Sequence, residues 1–373
     1  MAGVYIHIPF CRKACHYCNF HFSTSLQLQK SFVTALLREI DLQQNYLSEP
    51  VSTIYFGGGT PSILPAANIN NIISRLEENF IIENNAEISL EANPDDISSE
   101  KLAEWTEIGV NRLSIGIQSF FQEDLLWMNR AHNAQQAFDS ITLAQRAGFN
   151  NLTIDLIYGT PALSDENWEK NVKTAIALQI PHLSCYALTV EPKTALEKLI
   201  KQNAVADVDT EKQARHFELL MQWMKEAGYE HYEISNFAKT GFRSRHNSSY
   251  WQGKSYLGLG PSAHSFNGTS RQWNVANNAL YIQSLSKGIV PFEAEVLTTE
   301  QQLNEYIMIS LRTMEGISLQ IVKQNFGKDK YEFLIKTAEP HLSRHHLTFE
   351  NNYLKTTMKG KLLADGIAAD LFV

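Results

Sequence analysis

Three cysteines lie close together near the beginning of this 373-residue sequence. Cys11, Cys15 and Cys18 occur within Cys-Arg-Lys-Ala-Cys-His-Tyr-Cys, at spacings of four and three residues. Such spacings bring three thiolates to one side of a tight loop, and thiolates are the ligands of iron–sulfur clusters. A cubane 4Fe-4S cluster normally takes four thiolates, so three local cysteines leave one iron open to an exchangeable ligand.

A zinc site is the alternative interpretation of these cysteines. His16 or His21 would then supply the fourth ligand, although structural zinc sites normally pair two separated groups of ligands. The only further cysteine is Cys185, which lies inside an apolar run and is expected to be a small buried side chain. Reactive cysteines without a metal are the third alternative. Four cysteines make a poor disulfide framework for so long a chain, which favours a reducing compartment.

The elements that position the cysteine loop follow a repeating pattern. Short aliphatic runs predict strands at Val4–Ile8, Thr53–Phe56, Glu87–Ala92, Leu113–Gln118, Leu152–Ile157 and His182–Leu188. Helical periodicity lies between them, at Ser31–Asp41, Asn68–Glu77, Glu100–Ile108, Ala134–Ala147 and Glu166–Leu178. This alternation predicts an α/β fold with a parallel sheet and right-handed crossovers. Six such units form either a doubly wound sheet or a partial β/α barrel, and periodicity does not distinguish the two.

The second half of the chain changes character. A further helix and a strand-like run at His231–Phe237 precede a Gly-, Ser- and Asn-rich region at Thr240–Gly268. Predicted helices at Thr299–Met314, up to Phe326 and around Lys330–His341, then a strand at Tyr353–Thr357, indicate a small winged-helix-like module. We therefore divide the chain into a core at 1–240, a connecting segment at 241–298 and a C-terminal module at 299–373.

Charge and hydropathy exclude several classes of protein. Lys and Arg total 32 against 40 Asp and Glu, which gives a net charge of −8. Proteins that bind nucleic acid through its phosphates normally carry a basic excess, so no nucleic-acid partner is expected. No apolar run approaches the roughly 20 residues of a membrane-spanning helix, and the first ten residues lack the pattern of a secretory signal. We expect a cytoplasmic protein.

The motif Cys-x3-Cys-x2-Cys directly after the first strand of a βα series resembles the radical S-adenosylmethionine (SAM) superfamily. There, three cysteines hold a 4Fe-4S cluster, and the amino and carboxylate groups of the cofactor complete the fourth iron. The context Tyr5-Ile-His-Ile-Pro-Phe-Cys11 is similar to the HemN-like branch, which holds oxygen-independent coproporphyrinogen oxidases and related heme chaperones. The resemblance covers nearly the whole chain and implies a partial (β/α)6 TIM-like barrel with a small C-terminal helical, winged-helix-like domain.

The resemblance also implies which residues hold S-adenosylmethionine. The run Phe56-Gly57-Gly58-Gly59-Thr60-Pro61 matches a glycine-rich segment that binds the cofactor's amino group. Gln118 and Asp155 match positions that contact the ribose, and Arg130 matches an arginine that pairs with the cofactor carboxylate. The full set is Tyr5, Tyr17, Gly58, Gly59, Thr60, Glu91, Gln118, Arg130 and Asp155. Taken singly, these positions also fit a tight turn, packing or a solvated strand end.

A second motif, His-Asn-Ser-Ser-Tyr-Trp, occupies positions 246–251. The pattern His-Asn-x-x-Tyr-Trp is associated with heme in the chaperone relatives, which implies heme contacts at His246, Asn247, Tyr250 and Trp251. An imidazole can ligate heme iron, and aromatic rings can pack on the macrocycle. A structural cluster of aromatic side chains is the alternative. His264, in Pro-Ser-Ala-His-Ser-Phe, is a second candidate ligand.

Two features distinguish the oxidases from the chaperones in this branch. The oxidases carry a further cysteine two positions after the third and an extension before the first strand. Here that position is Phe20, and the first strand begins at Val4. Both departures favour a heme chaperone that transfers heme to an acceptor protein, which the sequence does not identify. The alternative is a radical enzyme that decarboxylates coproporphyrinogen III oxidatively. The resemblance leaves room for a homodimer and for peripheral membrane contact.

Overall fold

A computed structural model describes residues 2–373 of the chain. Its strands are β1 (Ala2–Ile8), β2 (Val51–Gly58), β3 (Ile82–Ala92), β4 (Arg112–Gln118), β5 (Leu152–Tyr158), β6 (His182–Ala187), β7 (Glu230–Glu233), β8 (Asn236–Ala238), β9 (Tyr256–Leu259), β10 (His264–Phe266), β11 (Ser270–Asn274), β12 (Phe292–Val296), β13 (Ile317–Ser318), β14 (Leu347–Glu350) and β15 (Tyr353–Thr356). Its α-helices are α1 (Gln29–Leu42), α2 (Ala66–Asn79), α3 (Ser99–Glu107), α4 (Gln122–Trp127), α5 (Ala134–Arg146), α6 (Asp165–Ala177), α7 (Ala195–Lys201), α8 (Thr210–Glu226), α9 (Arg245–Trp251), α10 (Asn278–Ser286), α11 (Thr299–Leu311), α12 (Leu319–Phe326), α13 (Lys328–Ser343), α14 (Met358–Lys361) and α15 (Ala364–Asp370).

Twelve of the described strands form one mixed sheet, in the order β12-β11-β10-β9-β1-β2-β3-β4-β5-β6-β8-β7. Strands β1 to β6 pair in parallel with their sequence neighbours, and helices connect them. The six predicted strands and the five predicted helices between them are confirmed. The strand bounds differ most at β3, which begins five residues before the predicted Glu87 because its polar first half lies outside the apolar run.

The parallel part of the sheet curls into a partial barrel. One polar cavity of about 40 Å³ is lined by side chains from five successive strands, β2 to β6: Tyr55, Glu91, Ser114, Asp155 and Ser184. In a flat doubly wound sheet, side chains of β2 and β6 would lie too far apart to share a cavity of this size. Of the two folds that periodicity left open, the chain adopts the barrel.

The segment between residues 230 and 296 differs from its predicted form. The run His231–Phe237 is not one strand but an antiparallel hairpin of β7 and β8, because Ile234 and Ser235 form the turn. Further along, β9 pairs in parallel with the free edge of β1, and β10 to β12 continue the sheet as antiparallel strands. The connecting segment therefore contributes four strands to the main sheet.

The C-terminal module has its own apolar core and a small sheet in the order β13-β15-β14. α11 precedes β13, and α12 and α13 lie between β13 and the hairpin of β14 and β15. The winged-helix-like prediction is confirmed, with β13 as an additional strand before α12. The module contacts the hairpin of β7 and β8, where the Arg312 guanidinium lies 3.0 Å from a carboxylate oxygen of Glu233. A second ion pair, between Arg271 of β11 and Glu305 of α11, spans 2.8 Å. Between residues 2 and 373, no helix is both long and apolar enough to cross a membrane.

Candidate cluster and cofactor site

The three cysteines lie in the loop between β1 and α1, and all three are half-buried. Backbone hydrogen bonds shape the loop: the Cys11 N–H donates to the Ser23 carbonyl at 3.0 Å, and the Cys18 N–H donates to the Cys15 carbonyl at 3.4 Å. The far side of the loop is held by His21, whose Nε2 lies 2.7 Å from Oδ1 of Asn278 in α10. The thiols are therefore presented together at the carboxyl end of β1.

Two side chains from other parts of the barrel donate hydrogen bonds to the sulfurs. Thr60 Oγ1 lies 3.4 Å from Cys11 Sγ, and Arg130 Nη1 lies 3.3 Å from Cys15 Sγ. Burial raises the pKa of the Cys11 thiol to about 11, and the Thr60 hydrogen bond opposes this shift. These two donors stabilise thiolate charge, which a metal-binding cysteine must carry.

Arg12 and Lys13, which follow Cys11 in the sequence, bond to groups other than the sulfurs. The Arg12 guanidinium lies 2.8 Å from a carboxylate oxygen of Asp96, and Lys13 donates to the backbone carbonyl of Arg130. Both side chains are therefore engaged away from the sulfurs. The cationic contact to a thiol comes instead from Arg130, more than a hundred residues further along the chain.

The residues of the loop fit an iron–sulfur cluster better than a zinc ion. Each thiolate of a cubane cluster binds a different iron, whereas a zinc ion needs all its ligands on one atom. His16, a candidate zinc ligand, directs Nδ1 to the Trp127 carbonyl at 2.9 Å, and His21 Nε2 bonds Asn278.

The glycine segment after β2 lies directly against the cysteine loop. The Gly59 N–H donates to the Ile8 carbonyl at 2.9 Å, and the Thr60 N–H donates to the Phe10 carbonyl at 2.8 Å. A Cβ on Gly59 would lie 2.7 Å from the Phe10 carbonyl oxygen and 3.0 Å from Cys11 Sγ. Gly58 has φ +106°, which a side chain would strain. Only glycines allow this close approach.

Glu91, near the end of β3, accepts a 2.7 Å hydrogen bond from the Tyr55 hydroxyl. Burial raises the pKa of Glu91 to about 8, while the hydrogen bonds from Tyr55 and from the Gly58 N–H oppose the rise. Burial likewise raises the pKa of Asp155 to about 6. Buried carboxyl groups with raised pKa values are suited to a positively charged ligand, whose charge would offset the cost of ionising them. S-adenosylmethionine is a sulfonium cation.

Arg130 joins the cysteine loop to β4. Besides its contact with Cys15, its guanidinium donates to Asn93 Oδ1 at 2.7 Å, to the Gly116 carbonyl at 2.9 Å and to the Tyr17 hydroxyl at 3.4 Å. Its Nε is buried and has no hydrogen-bond partner. A buried unpartnered donor is costly, so this atom is a place where a ligand's acceptor would fit.

Gln118 ends β4 in an unusual backbone conformation. Its φ is +66°, and the pairing of β4 with β5 shifts register between Ile115 and Gln118. Such irregularities at strand ends redirect a side chain. Asp155, by contrast, lies in the middle of β5, one level deeper in the barrel than Gln118.

Tyr5 also lies deep in the barrel, away from the cysteines that it precedes in the sequence. Its ring stacks on that of Tyr55, with centroids 6.1 Å apart, and its hydroxyl lies 3.2 Å from Nδ1 of His7. The nine predicted cofactor residues therefore form two groups. Six lie near the cysteines, at the carboxyl end of the strands: Tyr17, Gly58, Gly59, Thr60, Gln118 and Arg130. The other three, Tyr5, Glu91 and Asp155, face the barrel interior.

The His-Asn-x-x-Tyr-Trp motif lies at the opposite, amino-terminal end of the barrel, in α9. His246 is 1% exposed. Its Nδ1 lies 2.8 Å from Thr53 Oγ1, and its Nε2 lies 2.8 Å from the Tyr250 hydroxyl. Burial lowers the pKa of His246 to about 3. Because both ring nitrogens are hydrogen-bonded, His246 does not offer a free ligand atom in this conformation.

The other residues of the motif are also engaged within the fold. Asn247 lines the polar cavity that Glu91 and Asp155 share. Trp251 is half-buried and lies under the Arg312 guanidinium of the C-terminal module, 5.4 Å from the ring centroid. Asn247, Tyr250 and Trp251 are half-buried, so His246 is the one candidate heme residue of the motif that is fully enclosed.

His264, the second candidate heme ligand, is placed differently. It begins β10, is exposed, and stacks on Trp273 of β11 with ring centroids 6.2 Å apart. Partial burial lowers its pKa below the usual value, and Arg271 adds to this effect. Neutral imidazole is the form that ligates iron. Cys185, as predicted, is a buried apolar side chain.

Several residues of the site escaped the sequence analysis. Tyr55 holds Glu91, and the cavity is also lined by Arg112, Ser114 and Ser184. Their signal was a polar side chain at every second position of otherwise apolar strands, which marks the face that points into the barrel.

Comparison with known proteins agrees with this geometry. The Radical SAM superfamily model matches residues 5–175, and the HemN C-terminal domain model matches residues 297–363. Coproporphyrinogen III oxidase (HemN) from Escherichia coli, a radical SAM enzyme, superposes with a TM-score of 0.87 at 25% identity. The superposition covers 100% of this chain and 90% of the oxidase. The partial barrel with its C-terminal domain is thus the radical SAM fold of this branch.

Relatives with the name heme chaperone HemW align over 70–99% of this chain. The Bacillus subtilis protein is 33% identical over 98% of both chains. The Mycobacterium tuberculosis protein is 34% identical over 99% of this chain and 94% of its own length. The Escherichia coli protein is 35% identical over 70% of this chain and 69% of its own. The superfamily to which these proteins belong implies a 4Fe-4S cluster and S-adenosylmethionine. This chain belongs to the HemW family of radical SAM proteins.

Proposed function

We propose that this protein binds heme and transfers it to an acceptor protein, and that it holds a 4Fe-4S cluster and S-adenosylmethionine while doing so. The observation that carries the proposal is the alignment, end to end, with heme chaperones at 33–34% identity. The cysteine motif supports it, because Phe20 stands where the oxidases carry a further cysteine.

In this proposal Cys11, Cys15 and Cys18 hold the cluster, and the candidate cofactor residues hold S-adenosylmethionine beside it. A 4Fe-4S cluster held by these cysteines would supply one-electron redox chemistry beside the cofactor. Thr60 and Arg130 stabilise the thiolates through their hydrogen bonds to sulfur. Glu91 and Asp155 offset the positive charge of the cofactor inside the barrel. These assignments rest on the buried polar groups that the fold leaves open to a ligand.

The test is an anaerobic heme titration of the cluster-reconstituted protein, followed by the Soret band. We expect saturation at a defined stoichiometry. His246→Ala and His264→Ala are compared with the parent, and the variant that removes the axial ligand shifts the band or weakens binding about tenfold or more. His345→Asn is the control, since His345 is exposed, lies in the C-terminal module and has φ +56°, which Asn tolerates.

Each result has a definite meaning. A change confined to His246→Ala places heme at α9, and a change confined to His264→Ala places it at β10. If binding is saturable and neither substitution alters it, the chaperone proposal stands and another residue is the axial ligand. If heme binds only non-specifically, with no saturation and no defined band, the chaperone proposal is wrong.

The second candidate function is a radical enzyme that decarboxylates coproporphyrinogen III. The superposition with the Escherichia coli oxidase favours it, as does the complete set of candidate cofactor residues. The reconstituted protein, reduced in the presence of S-adenosylmethionine and coproporphyrinogen III, would then release carbon dioxide. We expect no turnover above a Cys15→Ala control.

A further inference from the structure

His246 belongs to a cluster of three aromatic rings inside the barrel. The cluster is triangular: the Tyr55 ring centroid is 5.0 Å from that of His246 and 6.1 Å from that of Tyr5, and the Tyr5 and His246 centroids are 6.4 Å apart. The His246 ring comes from α9, at the amino-terminal end of the barrel, and the Tyr55 hydroxyl contacts Glu91. A side chain associated with heme is therefore part of the interior that faces the cofactor.

The position of the His246 ring is fixed on every side. Its two nitrogens are held by Thr53 and Tyr250, and Oε1 of Glu87 accepts the His246 backbone N–H at 3.2 Å. The ring also fills the space above Gly3, where a Cβ would come within 3.3 Å of the imidazole. Because these contacts fix the imidazole, it can hold the ring that packs against it in one orientation.

Tyr55, which orients Glu91, packs against this imidazole. Tyr55 uses its ring face to contact His246 and its hydroxyl to donate a 2.7 Å hydrogen bond to Glu91 Oε1. If the imidazole were removed, the Tyr55 ring would lose the surface that sets its tilt, and the hydroxyl at its far end would move furthest. Two contacts thus connect α9 to a candidate cofactor carboxylate.

We propose that His246 is a positioning residue of the S-adenosylmethionine site, acting on Glu91 through Tyr55. This inference rests on the proposed function, since it takes Glu91 as a cofactor contact. It gives the His-Asn-x-x-Tyr-Trp helix a role in the resting protein, before any heme is bound. Asn247 supports it, because this neighbour lines the cavity that Glu91 shares with Asp155.

The experiment measures S-adenosylmethionine binding to the cluster-reconstituted protein by anaerobic equilibrium dialysis. We expect His246→Ala to raise the Kd about tenfold, as loss of an outer support commonly does. Tyr55→Phe, which keeps the ring stack and removes the hydroxyl, should raise it comparably. His246→Gln keeps a planar side chain that can bond both Thr53 and Tyr250, so it should restore most of the affinity. The increase in Tm on adding the cofactor should follow the same order.

The control for a purely structural effect is His182→Ala. His182 is buried in β6 at the same end of the barrel and bonds the Tyr232 hydroxyl at 2.7 Å, but no stacking joins it to Tyr55. This variant should lower the Tm of the cofactor-free protein without changing the Kd for S-adenosylmethionine. If His182→Ala weakens cofactor binding as much as His246→Ala does, the effect is general and the proposal is wrong.

Glu91→Gln separates failure of this inference from failure of the proposed cofactor site. Weaker binding in Glu91→Gln together with parental binding in His246→Ala and Tyr55→Phe overturns the positioning role and leaves the site intact. Parental binding in Glu91→Gln means that the cofactor is not held at Glu91, which overturns the assignment on which the inference rests. If His246→Ala does not fold, Tyr55→Phe and His246→Gln decide between these outcomes.

Discussion

Glu91 shows how burial prepares a side chain for a ligand. A carboxyl group whose pKa is raised to about 8 is largely protonated at pH 7 in the ligand-free protein. A cationic ligand favours the ionised form, so binding must displace this proton. Ionisation of Glu91 therefore links the affinity of the site for its cofactor to pH.

We predict that S-adenosylmethionine binds more tightly as the pH rises from 6 to 8. Below its pKa, Glu91 must lose a proton for each cofactor bound, so the affinity should rise by up to about tenfold per pH unit and level off above pH 8. The amino group of the cofactor also titrates, so dialysis should compare the parent with Glu91→Gln at each pH. A parent-to-variant affinity ratio that stays constant with pH would contradict the prediction.

At this scale the sequence was informative about residue types and less so about their partners. The cysteine loop and the glycine segment were found, and the structure brings them together as expected. The partner of Cys15 was not found, because Arg130 reaches it only after three further strands have curled the sheet. The burial of His246 was also unpredictable, because the local sequence of a histidine near two aromatic residues does not distinguish a buried position from an exposed one.

Among the elements, the parallel strands were the most predictable. Each is buried on both faces and so forms an apolar run that is visible without any partner. Strands β9 to β12 lack this signal because each is only three to five residues long. β11 is rich in polar residues, and β12 is exposed along its whole length. Their strand form depends on pairing with β1 and with one another, which sequence periodicity does not contain.

The contact between α11 and the hairpin of β7 and β8 yields a prediction for Arg312. Its guanidinium pairs with Glu233, which is 1% exposed, and with Asp365, which is 79% exposed. Arg312→Met leaves the buried carboxylate without its cation and should lower the free energy of unfolding by about 3 kcal/mol. Urea unfolding measures the change.

Asp365→Asn is the matched control for Arg312→Met. It removes the exposed half of the same network and should cost less than about 1 kcal/mol. Equal losses in the two variants would show that the buried pair contributes nothing beyond a surface ion pair, contrary to our expectation.

Across the whole molecule, the two ligand-associated regions lie at opposite ends of one barrel and share its interior. His246 cannot stack on Tyr55 with both nitrogens bonded and also ligate iron. If heme binds through His246, the imidazole must therefore leave Tyr55, and Glu91 then loses the contact that positions it. Binding linkage requires the effect to be equal in both directions.

We predict that saturating S-adenosylmethionine raises the Kd for heme about tenfold, and that heme raises the Kd for S-adenosylmethionine by the same factor. Paired titrations of the parent, followed by Soret absorbance and by dialysis, give the two factors. In His246→Ala the coupling should disappear. Heme titrations that superimpose with and without the cofactor would show that heme binds without drawing on this residue.

The place of β1 between β2 and β9 has a consequence for synthesis of the chain. One edge of β1 pairs with β2, about fifty residues further along the chain. Its other edge pairs with β9, about 250 residues away, which is synthesised much later. Until residue 259 has left the ribosome, this first strand presents an unpaired edge that can pair with other chains. The cysteine loop that follows β1 is completed later still, because its hydrogen bond to Asn278 forms only after α10 has been synthesised. A cluster inserted earlier would enter a loop that is not yet held in place, so stalled or truncated chains should be the species that lose their metal and aggregate.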